Sequence, residues 1–409
     1  MQKCVRLTFA HQRLPFSDCV WPNRAKTTQH GSRMEAQFTF QKFALSNATQ
    51  FKTMAETIPA TMKALVKTKP TASYELVEIP VPVPGDGELL IKVERVSICG
   101  SDINLYTWNE VGQAIATLPF TPGHECVGKV VKVGPNCGEI GVGTRIGVEN
   151  HYYCGNCYQC THDLPHICKS MGQFGHGKQT VHGGCSQYTI VPARYAYVLK
   201  TNLTSQQACL LEPFGVAQHA IEEVECKDDT LLVIGCGPIG LLTVAVGRAM
   251  GAKTIIAADV IPAKLELAKT MGADHVINSK DEDMLAAVMK ITNSDGAGCI
   301  VEASGSPYMV NTCFTFLRKG GRILLVGLPK QPLHVENVLH NVIFKSLTLK
   351  TIHGRKIFHT WEESERLISQ GLVDISPIVS HDIPMSKFED AFSTLLKAEG
   401  CKILMDPQA

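Results

Sequence analysis

A surplus of charge of either sign is missing from this chain: across 409 residues, 39 basic side chains face 38 acidic ones, for a formal net charge of +1. That balance excludes a partner held by bulk charge, such as nucleic acid or an anionic membrane surface. Charged residues are sparse as well, at 19% against about 25% in an average domain. Hydrophobic residues reach 44%, enough apolar surface for a buried core, so the chain is not disordered on a large scale. There is no tandem repeat at a solenoid period and no low-complexity tract. Long apolar runs are lacking too. One uncharged stretch lies between Asp229 and Arg248, but Gly235, Gly237, Pro238, Gly240 and Gly247 break it up. It reads as a buried strand, turn and helix, and no membrane span is predicted. Met1–Ala10 has no continuous apolar core of the length a secretory signal needs.

Acidic residues are nearly absent from the first 53 positions, where Asp18 and Glu35 stand against Lys3, Arg6, Arg13, Arg24, Lys26, Arg33, Lys42 and Lys52. The segment is therefore +6 and the rest of the chain −5. A basic, hydroxyl-rich, acid-poor leader has the composition of a mitochondrial transit peptide. A disordered extension, or translation from Met54 or Met62, gives the same texture. The expected location is the cytoplasm, or the mitochondrial matrix if residues 1–53 are a transit peptide.

At roughly 150 residues per domain, the length predicts two or three domains. From Met62 short strands and loops dominate. Leu89–Ser97 alternates loosely and is rich in Val and Ile, and Thr121–Gly147 is dense in Gly and Val with turn signals, so a compact β domain is expected to about residue 210. From Thr230 the texture becomes alternating. Strands are predicted at Leu231–Ile234, Thr254–Ala258, His275–Ile277, Cys299–Ala303 and Arg322–Val326. Helices lie between them, including Pro262–Met271, Glu282–Ile291 and Met309–Leu317. That alternation means βαβ units and a parallel sheet.

Of the 16 cysteines, four are grouped as C-x2-C-x2-C-x7-C: Cys154, Cys157, Cys160 and Cys168. Four thiolates on one loop can surround a zinc ion tetrahedrally, and the closed shell leaves no position for chemistry. An iron–sulfur cluster uses the same ligands; disulfides fit poorly with a chain that has no secretion signal. Cys126, Cys209 and Cys299 lie in apolar runs and are expected to be buried core thiols. Upstream, Cys99 in ICGSD and His124-Glu125 in PGHECVG each follow a strand-like segment. Cysteine, histidine and a carboxylate form a zinc set that leaves a fourth position open.

Gly235-Cys236-Gly237-Pro238-Ile239-Gly240 is G-x-G-x-x-G between a predicted strand and a helix. The glycines give a tight turn, close approach to a pyrophosphate and close helix packing, and the helix N-terminus offers N–H groups to the phosphates. Asp259 follows 19 residues after Gly240, at the end of the next strand, where a carboxylate accepts ribose hydroxyls and repels a 2′-phosphate. The expected cofactor is NAD.

These sites, in this order, resemble the zinc-dependent medium-chain dehydrogenase/reductase (alcohol dehydrogenase) family. The run G-H-E-x2-G-x5-G-x2-C from Gly123 to Cys137 matches its zinc signature, and the resemblance covers residues 62–409. Within the family, ICGSDINLYTW, HYYCGNCYQC, GRKIFHTW and LISQGLVDISPIVSH resemble stretches of threonine dehydrogenases; sorbitol, xylitol and butanediol dehydrogenases are near alternatives. The resemblance implies an α/β fold: a GroES-like β domain plus a Rossmann-type doubly wound parallel-sheet NAD-binding domain. The divisions it implies are a basic extension at 1–61, a catalytic domain at 62–212, an NAD domain at 213–352 and a return to the catalytic domain at 353–409. It implies two zinc ions per chain, one on Cys99, His124 and Glu125 and one on the four-cysteine loop. Glu212 falls beside the catalytic metal, and His151 at a position that shapes the substrate site. Ile239, Asp259, Lys264, Val326, Gly327, Leu328, Ile352 and His353 match cofactor-contacting positions. The activity implied is NAD-linked oxidation of a secondary alcohol, L-threonine first and a polyol or diol second, by a dimer or tetramer. A catalytically silent NAD-binding scaffold is the remaining alternative.

Two positions depart from the family pattern. Ser101 and Asn104 stand where Thr and His form a proton relay; Ser101 keeps a hydroxyl, but an asparagine has no basic nitrogen. Glu212 stands where threonine dehydrogenases often show Asp, and is more like the polyol enzymes.

Overall fold

The computed structural model describes residues 57–409; the readings made for residues 1–53 lie outside them. Two sheets organise the described chain. The first has seven strands. Its centre is Glu88–Ser97, paired antiparallel to Glu125–Val133 and to Tyr188–Pro192. On one side Glu125–Val133 continues to Arg145–Val148 and Ala196–Val198. On the other side the C-terminal strand Lys402–Asp406 pairs with Glu88–Ser97 and, parallel, with Val379–Pro384 at the edge, so the last segment of the chain returns to the first sheet. Ile91, Val93, Val96, Val130, Ile146, Phe174 and Phe392 fill one core beside this sheet.

The second sheet is wholly parallel, in the order His275–Asn278, Thr254–Asp259, Thr230–Ile234, Ala297–Glu302, Leu317–Leu325, Thr348–Thr351. The order reverses beside Thr230–Ile234, where a doubly wound sheet opens a ligand crevice at its carboxyl ends. Its inner strands Thr254–Asp259, Thr230–Ile234 and Ala297–Glu302 are apolar on both faces because helices cover both. Leu231, Val233, Ile255 and Cys299 join one core, and Leu232, Ile234, Ile256 and Ile300 another. This architecture is the GroES-like plus Rossmann-type α/β fold expected. Cys126, Cys209 and Cys299 are buried, as predicted.

Two local differences have physical reasons. Met309–Leu317 is not one helix: Pro307–Thr312 is helical, and Cys313–Phe316 tightens to a 3-10 turn that feeds the strand beginning at Leu317. Residues 212 and 213 lie in the first turn of a single helix, Leu211–Val224, whose buried side chains bind it to the parallel sheet's core. Glu212, Gln218 and His219 are buried along with its apolar residues, so polarity in its sequence does not mark an outer face. Among the described residues, no helix is long and apolar enough to cross a membrane.

Candidate metal and dinucleotide sites

The four-cysteine loop is held open as a cage. The Sγ atoms of Cys157 and Cys160 lie 3.5 Å apart, those of Cys157 and Cys168 3.8 Å, and those of Cys154 and Cys160 3.9 Å. Zinc–sulfur bonds of about 2.3 Å in a tetrahedron put sulfurs about 3.8 Å apart. The spacing fits a four-coordinate ion and is far too long for disulfides. Backbone N–H groups of Cys154 and Ser170 both point at the Cys168 sulfur at 3.3 Å, which stabilises a thiolate.

The second cluster joins two strand ends. Ligand atoms of Cys99, His124 and Glu125 lie within 4.8 Å of one another. Glu125 begins its strand opposite Ser97, and Cys99 follows directly where the partner strand ends. His124 is buried, and its Nδ1 faces Asp102 Oδ1 at 3.5 Å, which turns the other ring nitrogen toward the cluster. Asp102 Oδ2 accepts from the Cys99 N–H at 2.9 Å, so one carboxylate orients two of the three ligands. The donor set suits zinc, as does its incompleteness.

Glu212 does not join that set of three. Its Oε1 accepts from Asn150 Nδ2 at 2.8 Å and pairs with the Arg355 guanidinium. Arg355 is itself buried, donating to Glu149 at 2.5 and 3.0 Å and to Asn150 at 2.6 Å; Trp361 Nε1 also bonds Glu149, at 2.8 Å. Burial pushes the Glu212 carboxyl up, against the pull of Arg355. His151 adjoins this group, its backbone N–H donating to Glu149 Oε1 at 2.8 Å and its ring stacked on His353 with centroids 5.4 Å apart. Burial, then Arg355 and His353, hold its imidazole well below the ordinary value, so it is neutral at pH 7. Ser101 is half-buried in the first turn of the helix Gly100–Thr107. Asn104, farther along that helix, spends its Oδ1 on Asn109 Nδ2 at 2.7 Å. Asn109 in turn caps the next helix through Gly112 N–H. The asparagine is a helix-junction residue.

Asp102, Glu149, Arg355 and Lys402 escaped the sequence reading. Asp102 carried a signal, three residues after Cys99 in capping-box spacing. Arg355 and Glu149 are 206 positions apart and carried none.

The glycine-rich turn is a built cradle. A Cβ on Gly240 would lie 1.8 Å from the Gly235 carbonyl oxygen, so only glycine packs the helix this closely. At Gly237, which caps the helix Pro238–Ala249, a Cβ would meet nothing within 4 Å, leaving room for a phosphate to approach the backbone. Asp259 ends its strand with Oδ2 on Cys236 N–H at 2.7 Å and Oδ1 on the Val260 and Ile261 N–H groups at 2.8 and 3.0 Å. A cavity of about 290 Å³ beside it is lined by Gly235, Asp259, Ser279, Ser306 and Tyr308. Ile239 lies in the first turn of the capped helix, and Lys264 in that of Pro262–Thr270. Val326, Gly327 and Leu328 follow the strand Leu317–Leu325, and Ile352 and His353 follow Thr348–Thr351, all at the carboxyl ends of parallel strands.

A parallel sheet with a dinucleotide cradle, joined to a β domain carrying one closed and one open metal cluster, defines a zinc-binding dehydrogenase. The chain belongs to that family: residues 85–201 match the alcohol dehydrogenase GroES-like domain and residues 238–370 the zinc-binding dehydrogenase domain. It is 38% identical over 348 residues to an L-threonine 3-dehydrogenase of Thermococcus kodakarensis, covering 85% of this chain and 98% of that one. The 2R,3R-butanediol dehydrogenase of Bacillus subtilis superposes with a TM-score of 0.76 at 27% identity, covering 85% and 99% of the two chains. A protein of Sinorhizobium meliloti bound to NADP superposes with a TM-score of 0.79 at 27% identity, covering 85% and 100%. The chain is an oxidoreductase of the zinc-type alcohol dehydrogenases.

Proposed function

We propose that this enzyme oxidises L-threonine to 2-amino-3-ketobutyrate with NAD. The observation that carries the reading is the 38% identity to an L-threonine 3-dehydrogenase across 98% of that relative's length. Asp259 supports NAD, since an acidic residue at the end of the second strand of the glycine-turn unit accepts ribose hydroxyls and repels a 2′-phosphate. The sulfur spacing and the open Cys99–His124–Glu125 set support two zinc ions per chain. When bound, zinc supplies Lewis acidity toward the hydroxyl and NAD accepts the hydride.

The chain's own groups do the rest. Cys99, His124 and Glu125 hold the catalytic ion, and Cys154, Cys157, Cys160 and Cys168 the structural one. Ser101 passes the hydroxyl proton toward solvent, because Asn104 has neither a basic nitrogen nor a free Oδ1. Neutral His151 offers a ring nitrogen to the substrate, and Glu212, fixed by Arg355 and Asn150, shapes the polar wall beside it. Gly235, Gly237, Ile239 and Gly240 carry the pyrophosphate, Asp259 and Lys264 the adenosine ribose, and Val326–Leu328 with Ile352 and His353 the nicotinamide. The catalytic domain spans 62–212 and 353–409, and the NAD domain 213–352. The sheet edge at Thr348–Thr351 and the exposed Ile343, Phe344 and Leu349 support a homo-oligomer, dimer or tetramer. The cytoplasm is the expected compartment.

A second reading, a polyol or diol dehydrogenase, is favoured by the butanediol dehydrogenase superposition and by Glu212. The test is NADH formation by the purified zinc enzyme on L-threonine, sorbitol, xylitol and 2,3-butanediol. A preference for L-threonine is expected; turnover of polyols or diols alone would transfer the function to the second reading.

A further inference from the structure

The Glu125 carboxylate is held from behind by a buried lysine that the reaction as described does not use. Lys402 lies in the last strand, 2% exposed, and its Nζ donates to the Ile98 carbonyl at 3.1 Å and to Glu125 Oε2. Ser97 Oγ donates to the same Oε2. Both contacts fall on one oxygen, Oε2. The returning strand enforces the arrangement: Leu404 is in register with Ser97, Ser97 with Glu125, and Ile98 N–H bonds the Ile403 carbonyl at 3.0 Å.

Charge gives the arrangement a purpose. Cys99 as thiolate and Glu125 as carboxylate would bring two negative charges to a dication and cancel it, weakening its pull on a hydroxyl. A buried ammonium against Glu125 restores one unit of positive charge. A fully buried lysine is costly unless paired, and among the described residues the salt bridge it makes is to Glu125, the candidate metal ligand.

We propose that Lys402 is a positioning residue for the catalytic metal: it occupies Glu125 Oε2 so that the carboxylate presents Oε1 alone, and it offsets the charge that Glu125 brings. The proposal rests on the reading of Cys99, His124 and Glu125 as metal ligands. With Lys402→Met, Oε2 keeps only the weaker hold of the Ser97 hydroxyl, so the carboxylate can turn to present both oxygens, and the site loses one positive charge.

The experiment replaces the ion at this site by Co²⁺ and records its visible d–d absorption in wild type, K402M, K402R, S97A and C99A. C99A tests the underlying reading: if it retains the wild-type spectrum, these residues do not hold the ion. Provided C99A alters the spectrum, K402M is expected to show weaker, shifted bands from a higher coordination number. Its kcat/KM should fall by about tenfold to a hundredfold, as for other groups that orient a ligand. K402R, which keeps the charge and a donor, is expected to restore most of both. A lysine serving only to pack the strand would lower the melting temperature and leave the spectrum of the loaded enzyme alone, so an unchanged K402M spectrum overturns the proposal. If K402M does not fold, S97A decides: a smaller shift in the same direction supports the holding of Oε2, and an unchanged spectrum refutes it.

Discussion

Gly354 gives the sharpest test of the site's packing. Its φ is +66°, and a Cβ built on it would lie 2.5 Å from Cε1 of His151. Alanine there meets two separate costs. Forcing an L-residue into the left-handed region costs about 1–2 kcal/mol. Overpacking against a buried ring adds about 1–3 kcal/mol, because His151 or the backbone must shift. Gly371 isolates the first cost. Its φ is +68°, and a Cβ on it would meet nothing within 4 Å. Gly371→Ala should lower stability by about 1–2 kcal/mol, roughly 2–8 °C at 2–4 °C per kcal/mol, and leave kcat/KM untouched. Gly354→Ala should lower stability by about 2–5 kcal/mol in all. It should also lose activity, since a displacement of about 1 Å in a positioning group can cost about 100-fold. Thermal melting and steady-state kinetics on the pair decide the matter. If Gly354→Ala behaves as Gly371→Ala does in both assays, the contact between Gly354 and His151 is not part of the working site.

Three further outcomes are expected. At about 4 Å, a unit charge on a 2′-phosphate and Asp259 repel by about 1 kcal/mol in water and about 4 at an effective dielectric of 20. NADP should therefore bind roughly five-fold to several hundred-fold more weakly than NAD, and Asp259→Ser should narrow that ratio in titrations of cofactor binding; an unchanged ratio counts against the role. Cys154→Ser should remove one zinc per chain and lower the melting temperature, because that site's binding energy is folding energy, whereas Cys99→Ser should remove the other zinc and the activity with the fold retained. Burial holds the His219 imidazole below its ordinary value despite its bond to the Gly354 carbonyl. The unfolded chain then takes up a proton that the folded one refuses, so stability should fall as pH drops through about 6.5. His219→Asn, which keeps a donor for that carbonyl, should reduce the fall in melting temperature between pH 7 and 5 without abolishing it, because His151, His166, His176 and His182 are lowered by burial in the same way; an unchanged pH dependence would refute the role of His219.

Where chemistry needs residues close in sequence, it was legible. The four-cysteine loop, the glycine turn with Asp259, and the His124-Glu125 pair are local, because a metal shell or a strand–turn–helix cradle is closed by a few neighbouring residues. The alternation of apolar runs and helices revealed the parallel sheet for the same reason. The helix Leu211–Val224 was not legible, since its polar residues Glu212, Gln218 and His219 are buried with its apolar ones, and polarity there does not mark the outer face.

What only the tertiary structure decided is how charge is balanced around those local motifs. Glu212 meets Arg355, Arg355 meets Glu149, and Glu125 meets Lys402 across 143, 206 and 277 positions of chain. Each cation is useful because it is buried against a carboxylate, and burial is a property of the packed molecule. Likewise Asn104, unremarkable as a residue type, becomes a helix-junction residue once Asn109 is folded against it. Ligand identity was written in the sequence; the electrostatic setting of the ligands arose when the last strand returned to the first sheet.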